Sequence, residues 1–220
     1  MFDENLKPVL FAIGAVAVLM GLATDRYGPR TDLATAVDTG ALPPVPATAG
    51  PGGAPAQTPV AALRVTLGAG LEARLLYAYT LEGRVVTRRE FRNDPTSAVS
   101  PLDLGIVWGD LARPGGTDAL SFRTRPRAVS YRAEPGAILP RGWETQVTNN
   151  HLIPADPSVH AALNGVAVGD HVRLQGYLVV VTGDQITPWR SSTRRDDNTI
   201  IGGCEIILVT GVEVLPGAGA

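Results

Sequence analysis

The sequence contains a single cysteine, Cys204, among 220 residues. One thiol excludes a disulfide within the chain and a metal site built from several thiolates of one chain. Cys204 begins the largely apolar run 204–209, and free cysteine is among the most frequently buried residue types. We therefore expect Cys204 to be a small buried side chain in a strand.

The chain also has no excess of positive over negative charge. Lys7 is the only lysine, the formal net charge is −2, and from residue 58 onward 16 arginines face 16 acidic residues. Affinity for nucleic acid comes largely from neutralising phosphates, so a chain without a basic excess has no general attraction for a polyanion. We expect no nucleic-acid partner, although the balance leaves room for a local basic patch.

No charged residue lies between residues 8 and 24. This almost wholly apolar run has the minimum length for a helix that spans a bilayer core of roughly 30 Å. Asp3 and Glu4 precede it, whereas a secretory signal peptide begins with basic residues. We predict a cytoplasmic N-terminus at 1–7 and a transmembrane signal-anchor helix at 8–24. Cleavage after Ala23 and a buried core helix are the alternatives.

Residues 25–59 are rich in Pro, Gly and Ala, and no aromatic residue lies between 32 and 59. Such a composition buries too little apolar surface to offset the entropy of ordering it. We predict a disordered linker that either extends the reach of the following domain or is tolerated filler. An apolar segment followed by a Pro-rich spacer is typical of a domain presented beyond a membrane. The expected localisation is the inner membrane, single-pass, with the C-terminal domain in the periplasm.

From residue 60 to residue 216 the pattern changes to short apolar runs separated by turn signals, which is typical of antiparallel sheets. Residues 217–220 are predicted to be a disordered tail. Gly176, inside the clearest strand, is a position where a bulge or bend is expected. The predicted strands are Leu71–Tyr79, Leu81–Thr87, Leu102–Trp108, Ala128–Arg132, Val172–Val181 and Cys204–Leu215.

One helix is predicted after Asp156, which is a suitable N-cap, with Pro157 at the first helical position and a left-handed Gly165 at the end. Val159, Ala162 and Leu163 are expected to pack on the sheet and plug one end of it. Five or six bent strands with one intervening helix outline an oligonucleotide/oligosaccharide-binding (OB) barrel. The predicted fold is therefore mainly β, an OB-like, partly open barrel preceded by the N-terminal helix.

Seven segments of the chain form a recognisable pattern. They are Leu81–Arg92, Ser100–Leu104, Val107–Gly109, Asn150–Asp156, Val168–Leu178, Trp189–Asp197 and Gly203–Glu205. Together they resemble a family of uncharacterised proteobacterial proteins that are small and N-terminally anchored or secreted. The region around residues 113–141 departs from the family pattern. The resemblance implies an anchored or secreted protein with an OB-like β domain, and it implies no activity and no catalytic residue.

The candidate site is a polar and aromatic cluster that serves either a ligand or the structure itself. We predict no catalytic residue in it, because a nucleophilic cysteine needs an exposed, electropositive setting. The alternative is a thiol enzyme that uses Cys204 and His151, with Asp103 as the carboxylate. The cluster consists of Trp108, His151, Trp189, Arg190, Ser191, Ser192, Arg194 and Asp196.

Aromatic residues are few, but several could stack bases or sugars if they shared one exposed face. Those residues are Trp108, Trp143, Trp189, Tyr131 and Tyr177. Core packing is the other interpretation of them, and metal binding is not expected because the three histidines lack a ligand spacing.

Taken together, these features predict a membrane-anchored extracytoplasmic binding or interaction module. It is expected to have no enzymatic activity, no cofactor and no metal. Its expected partners are the inner membrane, through the N-terminal helix, and an envelope protein. A domain that binds glycan or single-stranded nucleic acid, and a thiol enzyme, remain the alternatives.

Overall fold

The computed structural model describes residues 41–50, 53–68, 70–194 and 203–216. These residues form ten strands and one α-helix, which confirms the prediction of a mainly β domain with one short helix. The predicted anchor and tail lie outside the described residues. Within the described ranges, no helix is long and apolar enough to cross a membrane.

The strands alternate with short turns, one α-helix and two 3-10 helices. The helix α1 covers Pro157–Gly165, and the 3-10 helices cover Gly109–Ala112 and Trp143–Gln146. The strands are β1 (Ala56–Pro59), β2 (Arg64–Gly68), β3 (Leu71–Glu90), β4 (Leu102–Val107), β5 (Leu120–Arg125), β6 (Ala128–Ala133), β7 (Val147–Pro154), β8 (His171–Gly183), β9 (Ile186–Arg190) and β10 (Glu205–Leu215).

Five strands pair in a ring. β3 pairs with β4, β4 with β7, β7 with β10 and β10 with β8, and β8 returns to β3. All of these pairings are antiparallel except that of β7 with β10, which is parallel. β3 serves both of its neighbours because it is 20 residues long. β1 and β2 add to β3, β9 adds to β8, and β5 with β6 forms a separate two-stranded hairpin.

Strands β8 and β10 approach each other closely at Gly176. The register of β10 against β8 shifts between Val209 and Gly211, opposite this glycine. A Cβ atom on Gly176 would collide with the Leu208 carbonyl oxygen, so only glycine fits there. The irregularity expected at Gly176 therefore lies on the facing strand β10. The missing side chain of Gly176 leaves room for the β10 backbone.

Alternate residues of the strands face two different cores. Ile207 and Val209 of β10 lie in the interior cluster of the ring, whereas Ile206 and Leu208 lie in a second cluster on its outer side. A third, smaller cluster forms where the hairpin packs over Val107 and Val147. The ring is therefore filled inside and largely covered outside.

Helix α1 closes the interior cluster through Val159 and Leu163, both of which are buried. Its N-cap is Asp156, whose carboxylate accepts hydrogen bonds from the backbone N–H groups of the next turn. Two details differ from the prediction. Ala162 is exposed, because it faces away from the ring, and Gly165 does not adopt a left-handed conformation. The helix ends instead at an extended Val166.

The prediction of a disordered linker as far as residue 59 does not hold for residues 41–50 and 53–59. The Tyr177 hydroxyl donates to the Pro43 carbonyl, and the Gln175 amide donates to the Pro46 carbonyl at 3.0 Å. Strand β1 pairs with β3. Proline has little conformational freedom to lose, so polar groups of the sheet order this segment at low entropic cost.

Candidate functional site

The structure brings only part of the predicted cluster together. The rings of His151 and Trp189 lie against each other, with centroids 4.8 Å apart. Trp108 lies elsewhere, in the interior cluster. Arg190 and Arg194 are exposed, and Asp196 lies outside the described residues.

Ser191 and Ser192 have structural contacts at the start of β10. The Ser191 hydroxyl accepts a hydrogen bond from the Ile206 N–H at 3.0 Å, and the Ser192 N–H donates to the Cys204 carbonyl at 2.9 Å. Ser191 is almost completely buried. These two serines therefore fasten the segment after β9 to the ring.

The centre of the site is Arg127, which the sequence analysis did not select. Arg127 lies in the turn of the hairpin and reaches over the outer face of β4. Its Nη1 donates to Asp103 Oδ1 at 2.9 Å, and its Nη2 donates to both carboxylate oxygens of Asp94 at 2.9 Å and to the Ser100 carbonyl at 3.0 Å. The guanidinium thus joins the hairpin, the β3–β4 loop and β4.

Asp103 and His151 are direct cross-strand neighbours on β4 and β7. The Nδ1 atom of His151 lies 2.9 Å from Asp103 Oδ1, and the two side chains are only 3% and 4% exposed. Burying a carboxylate is costly unless it is paired. The guanidinium of Arg127 on the same carboxylate oxygen supplies that pairing.

Two aromatic rings flank the guanidinium of Arg127. Its central carbon lies 3.8 Å from the centroid of Phe91 and 5.7 Å from that of Trp189. An arginine over aromatic faces gains a cation–π attraction in addition to its hydrogen bonds. Phe91, Arg127, Trp189 and His151 therefore fill the outer face of β4 and β7 with the protein's own side chains.

The charge of Asp94 is stabilised in this network. Burial raises the pKa of Asp94, but hydrogen bonds from Arg127 and Thr96 outweigh it, and the pKa lies below its ordinary value. Asp94 is therefore ionised at neutral pH and balances the positive charge of the guanidinium.

Cys204 lies beside the network in an inert setting. Its sulfur is 3.8 Å from the Asn149 amide nitrogen and 3.8 Å from the Arg127 carbonyl oxygen. Burial, followed by the negative charges of Glu205 and Asp103, raises the pKa of the thiol to about 11. The His151 imidazole faces Asp103 and Trp189. The thiol is therefore protonated at neutral pH, which is the opposite of an activated nucleophile.

A second polar group lies inside the ring. The Thr148 hydroxyl donates to the fully buried Glu205 carboxylate, and the Asn150 amide donates to the Leu104 carbonyl at 3.1 Å. These contacts tie β4, β7 and β10 together. In the part of the chain that the structure describes, no group of three or more His, Cys, Asp or Glu side chains is placed to hold a metal.

The five aromatic residues considered for stacking do not share one exposed face. Trp143 packs edge-on against Tyr131, with centroids 5.5 Å apart, and Tyr177 belongs to the second core. Most of them serve packing, and Trp189 serves the Arg127 network.

The outer face of the hairpin is open and basic. Cross-strand pairs place Ser121 beside Arg132 and Arg123 beside Ser130, so these side chains share one face. Phe122 and its partner Tyr131 pack on the third core from the other face. A cleft of about 330 Å³ on the hairpin is lined by Ser121, Arg123, Arg125, Ser130, Tyr131 and Arg132.

Comparisons with family models, with curated proteins and with solved structures gave no match for this chain.

Proposed function

We propose that this protein is a non-enzymatic binding module, anchored in the inner membrane by residues 8–24, whose OB-like domain lies in the periplasm. The domain contacts another envelope component through the outer face of the β5–β6 hairpin. One observation carries the proposal: the chain's own side chains fill the outer face of β4 and β7, whereas the hairpin face beside it is open and basic.

The strand order of the ring supports an OB-like barrel. Counting ring strands along the chain, the first (β3) pairs with the second and the fourth, and the third pairs in parallel with the fifth. Helix α1 lies between the third and fourth ring strands, β7 and β8. This order supports the proposal of an OB-like barrel.

The filled face argues against the ligand-binding alternative. OB domains bind oligonucleotides and oligosaccharides on the face of their second and third strands, which correspond to β4 and β7. A ligand there would have to displace Arg127 from Asp94 and Asp103, leaving a nearly buried carboxylate without its partner.

The state of Cys204 argues against the thiol-enzyme alternative, because a pKa of about 11 leaves almost no thiolate at neutral pH. The location in the envelope is proposed from the sequence, from the apolar run at residues 8–24 and from the resemblance to anchored proteobacterial proteins. The inert thiol and the filled outer face of β4 and β7 therefore favour a module that binds a partner over one that catalyses a reaction.

Photo-crosslinking in intact cells tests the proposal. A photoreactive amino acid replaces exposed Ser121 on the hairpin face in one full-length variant and exposed Ala162 on α1 in another. After irradiation, gel shifts detect protein adducts and mass spectrometry detects small-molecule and lipid adducts. We expect adducts at position 121 in clear excess over position 162. Equal yields at the two positions would refute a binding face on the hairpin.

A further inference from the structure

The hairpin and the loop after it carry a marked local excess of positive charge. Residues 119–143 contain five arginines and only one acidic residue, Glu134. Arg127 is engaged with Asp94 and Asp103. Three others, Arg123, Arg125 and Arg132, line the cleft on the open face, and among the described residues none of these three forms an ion pair with a carboxylate. They remain available to an external anion.

The same region presents an isolated apolar side chain. Ile138 is 99% exposed and lies in the loop between β6 and the second 3-10 helix. The loop starts at the end of the hairpin, where the Glu134 N–H donates to the Ala119 carbonyl at 2.9 Å. A fully exposed isoleucine is unfavourable in water and gains free energy when it enters the interfacial region of a bilayer.

We infer that the outer face of the hairpin docks on an anionic lipid surface, with arginines 123, 125 and 132 on the lipid phosphates and Ile138 inserted among the headgroups. The inference deepens the proposed function and rests on it. Guanidinium groups bind phosphate oxygens in bidentate geometry, which suits them to lipid headgroups.

Two observations favour lipid over an acidic protein. Protein interfaces are usually anchored by a packed cluster of aromatic and apolar side chains, whereas arginines and serines dominate the lining of this cleft and the loop after the hairpin adds one fully exposed isoleucine. The proposed anchor also limits the distance between the domain and the membrane. Residues 25–40 extend at most about 55 Å, so the membrane of the anchor is always within reach.

The test uses the full-length chain in nanodiscs of either phosphatidylcholine or a phosphatidylcholine–phosphatidylglycerol mixture. In a Cys204→Ser background, which leaves no competing thiol, an Ile138→Cys variant carries an environment-sensitive fluorophore. An Ala162→Cys variant on α1 is the control for label position. We expect a blue shift of the label at position 138 in anionic discs only, reversed by high salt.

Charge variants give the expected size of the effect. Each arginine near an anionic surface contributes about fivefold to docking, so Arg123→Gln should lower the docking equilibrium about fivefold and Arg123→Gln/Arg125→Gln about 30-fold. Arg64→Gln, which removes an exposed arginine from β2, should leave it unchanged.

Any one of three results would overturn the inference. They are an equal shift in both lipids, an equal shift at position 162, and a shift that survives the double variant. A shift produced by polyglutamate in neutral discs, without one in anionic discs, would assign the face to an acidic protein and also overturn it. Incorporation of the chain into neutral discs tests separately whether residues 8–24 anchor it in a bilayer. Failure of the anchor is therefore distinguishable from failure of docking.

Discussion

Arg127 occupies a turn in which its φ is 52°, a conformation that residues other than glycine adopt at a cost on the order of 1 kcal/mol. Its side chain meets two carboxylates, a carbonyl and two aromatic rings. These contacts outweigh the backbone strain. A single residue thereby fixes the hairpin over β4 and covers the outer face of that strand.

Removing this side chain should destabilise the domain strongly. We predict that Arg127→Ala lowers the free energy of unfolding by about 3 kcal/mol, because it leaves the nearly buried Asp103 without its cationic partner. Urea unfolding followed by tryptophan fluorescence measures this. Arg88→Ala, which breaks only the partly exposed pair with Glu90, should cost at most about 1 kcal/mol. Similar losses in the two variants would contradict the role of Arg127.

Asp94 should make stability depend on acid pH. Its folded pKa lies below the ordinary value of 3.8, so its contribution is complete above that value and is lost as pH falls through the folded pKa. We predict that the urea midpoint of the parent chain falls more steeply below about pH 4 than that of Asp94→Asn. Asp184→Asn, in the exposed turn between β8 and β9, should follow the parent chain.

Cys204 should be unreactive in the folded chain. Its pKa of about 11, against an ordinary 9.0, reduces the thiolate fraction near pH 8 by about 100-fold. We predict that a disulfide reagent modifies the native chain at least about 100-fold more slowly than the urea-unfolded chain. Equal rates would show an accessible, ionised thiol and would revive the thiol-enzyme alternative.

Among the structural elements, the ring depends on the close approach of β8 and β10. Gly176 allows this approach beside the shift in register of β10. β3 then completes the ring, because its 20 residues pair with β4 near one end and with β8 along most of its length. A change at Gly176 should therefore affect the closure of the whole ring.

We predict that Gly176→Ala lowers the free energy of unfolding by about 2 kcal/mol, because the new methyl group meets the Leu208 carbonyl oxygen. Gly165→Ala is the matched control, since a Cβ atom added there would have no neighbour within 4 Å and its backbone is not left-handed. That change should be neutral or slightly stabilising. Thermal unfolding of the two variants, monitored by circular dichroism, makes the comparison. A tolerated Gly176→Ala would contradict the described approach of the strands.

Elements defined by local chemistry were predictable from the sequence. Helix α1 begins where Asp156 and Pro157 indicate, because capping depends only on neighbouring residues. The structure joins the two strands predicted at 71–79 and 81–87 into the single strand β3. Thr80 between them is buried, and its hydroxyl donates to the Pro46 carbonyl. That partner is distant in sequence, so no local signal indicates it.

Elements defined by distant partners were not predictable. All eight residues of β7 are buried although four are polar, so the strand shows no alternation of polar and apolar residues. Its polar side chains find partners on β4 and β10. The role of Arg127 was not predictable either. No Gly or Asn marks its turn, and its carboxylate partners lie at least 24 residues away in sequence.

At the scale of the whole molecule, the chain covers most of the ring with its own segments. Residues 41–50, β1 and β2 lie over one outer side, and the hairpin lies over β4 and β7. The outer face of the hairpin is left open, and it carries the arginines of the cleft. This arrangement favours a module that displays one charged face toward a partner.

We propose that residues 8–24 hold this domain outside the cytoplasm. The most direct test expresses the chain with a C-terminal reporter that is active only outside the cytoplasm and measures the intact mass of the product. We predict an active reporter on an uncleaved chain. An inactive reporter, or a mass showing cleavage after Ala23, would contradict the anchored periplasmic module.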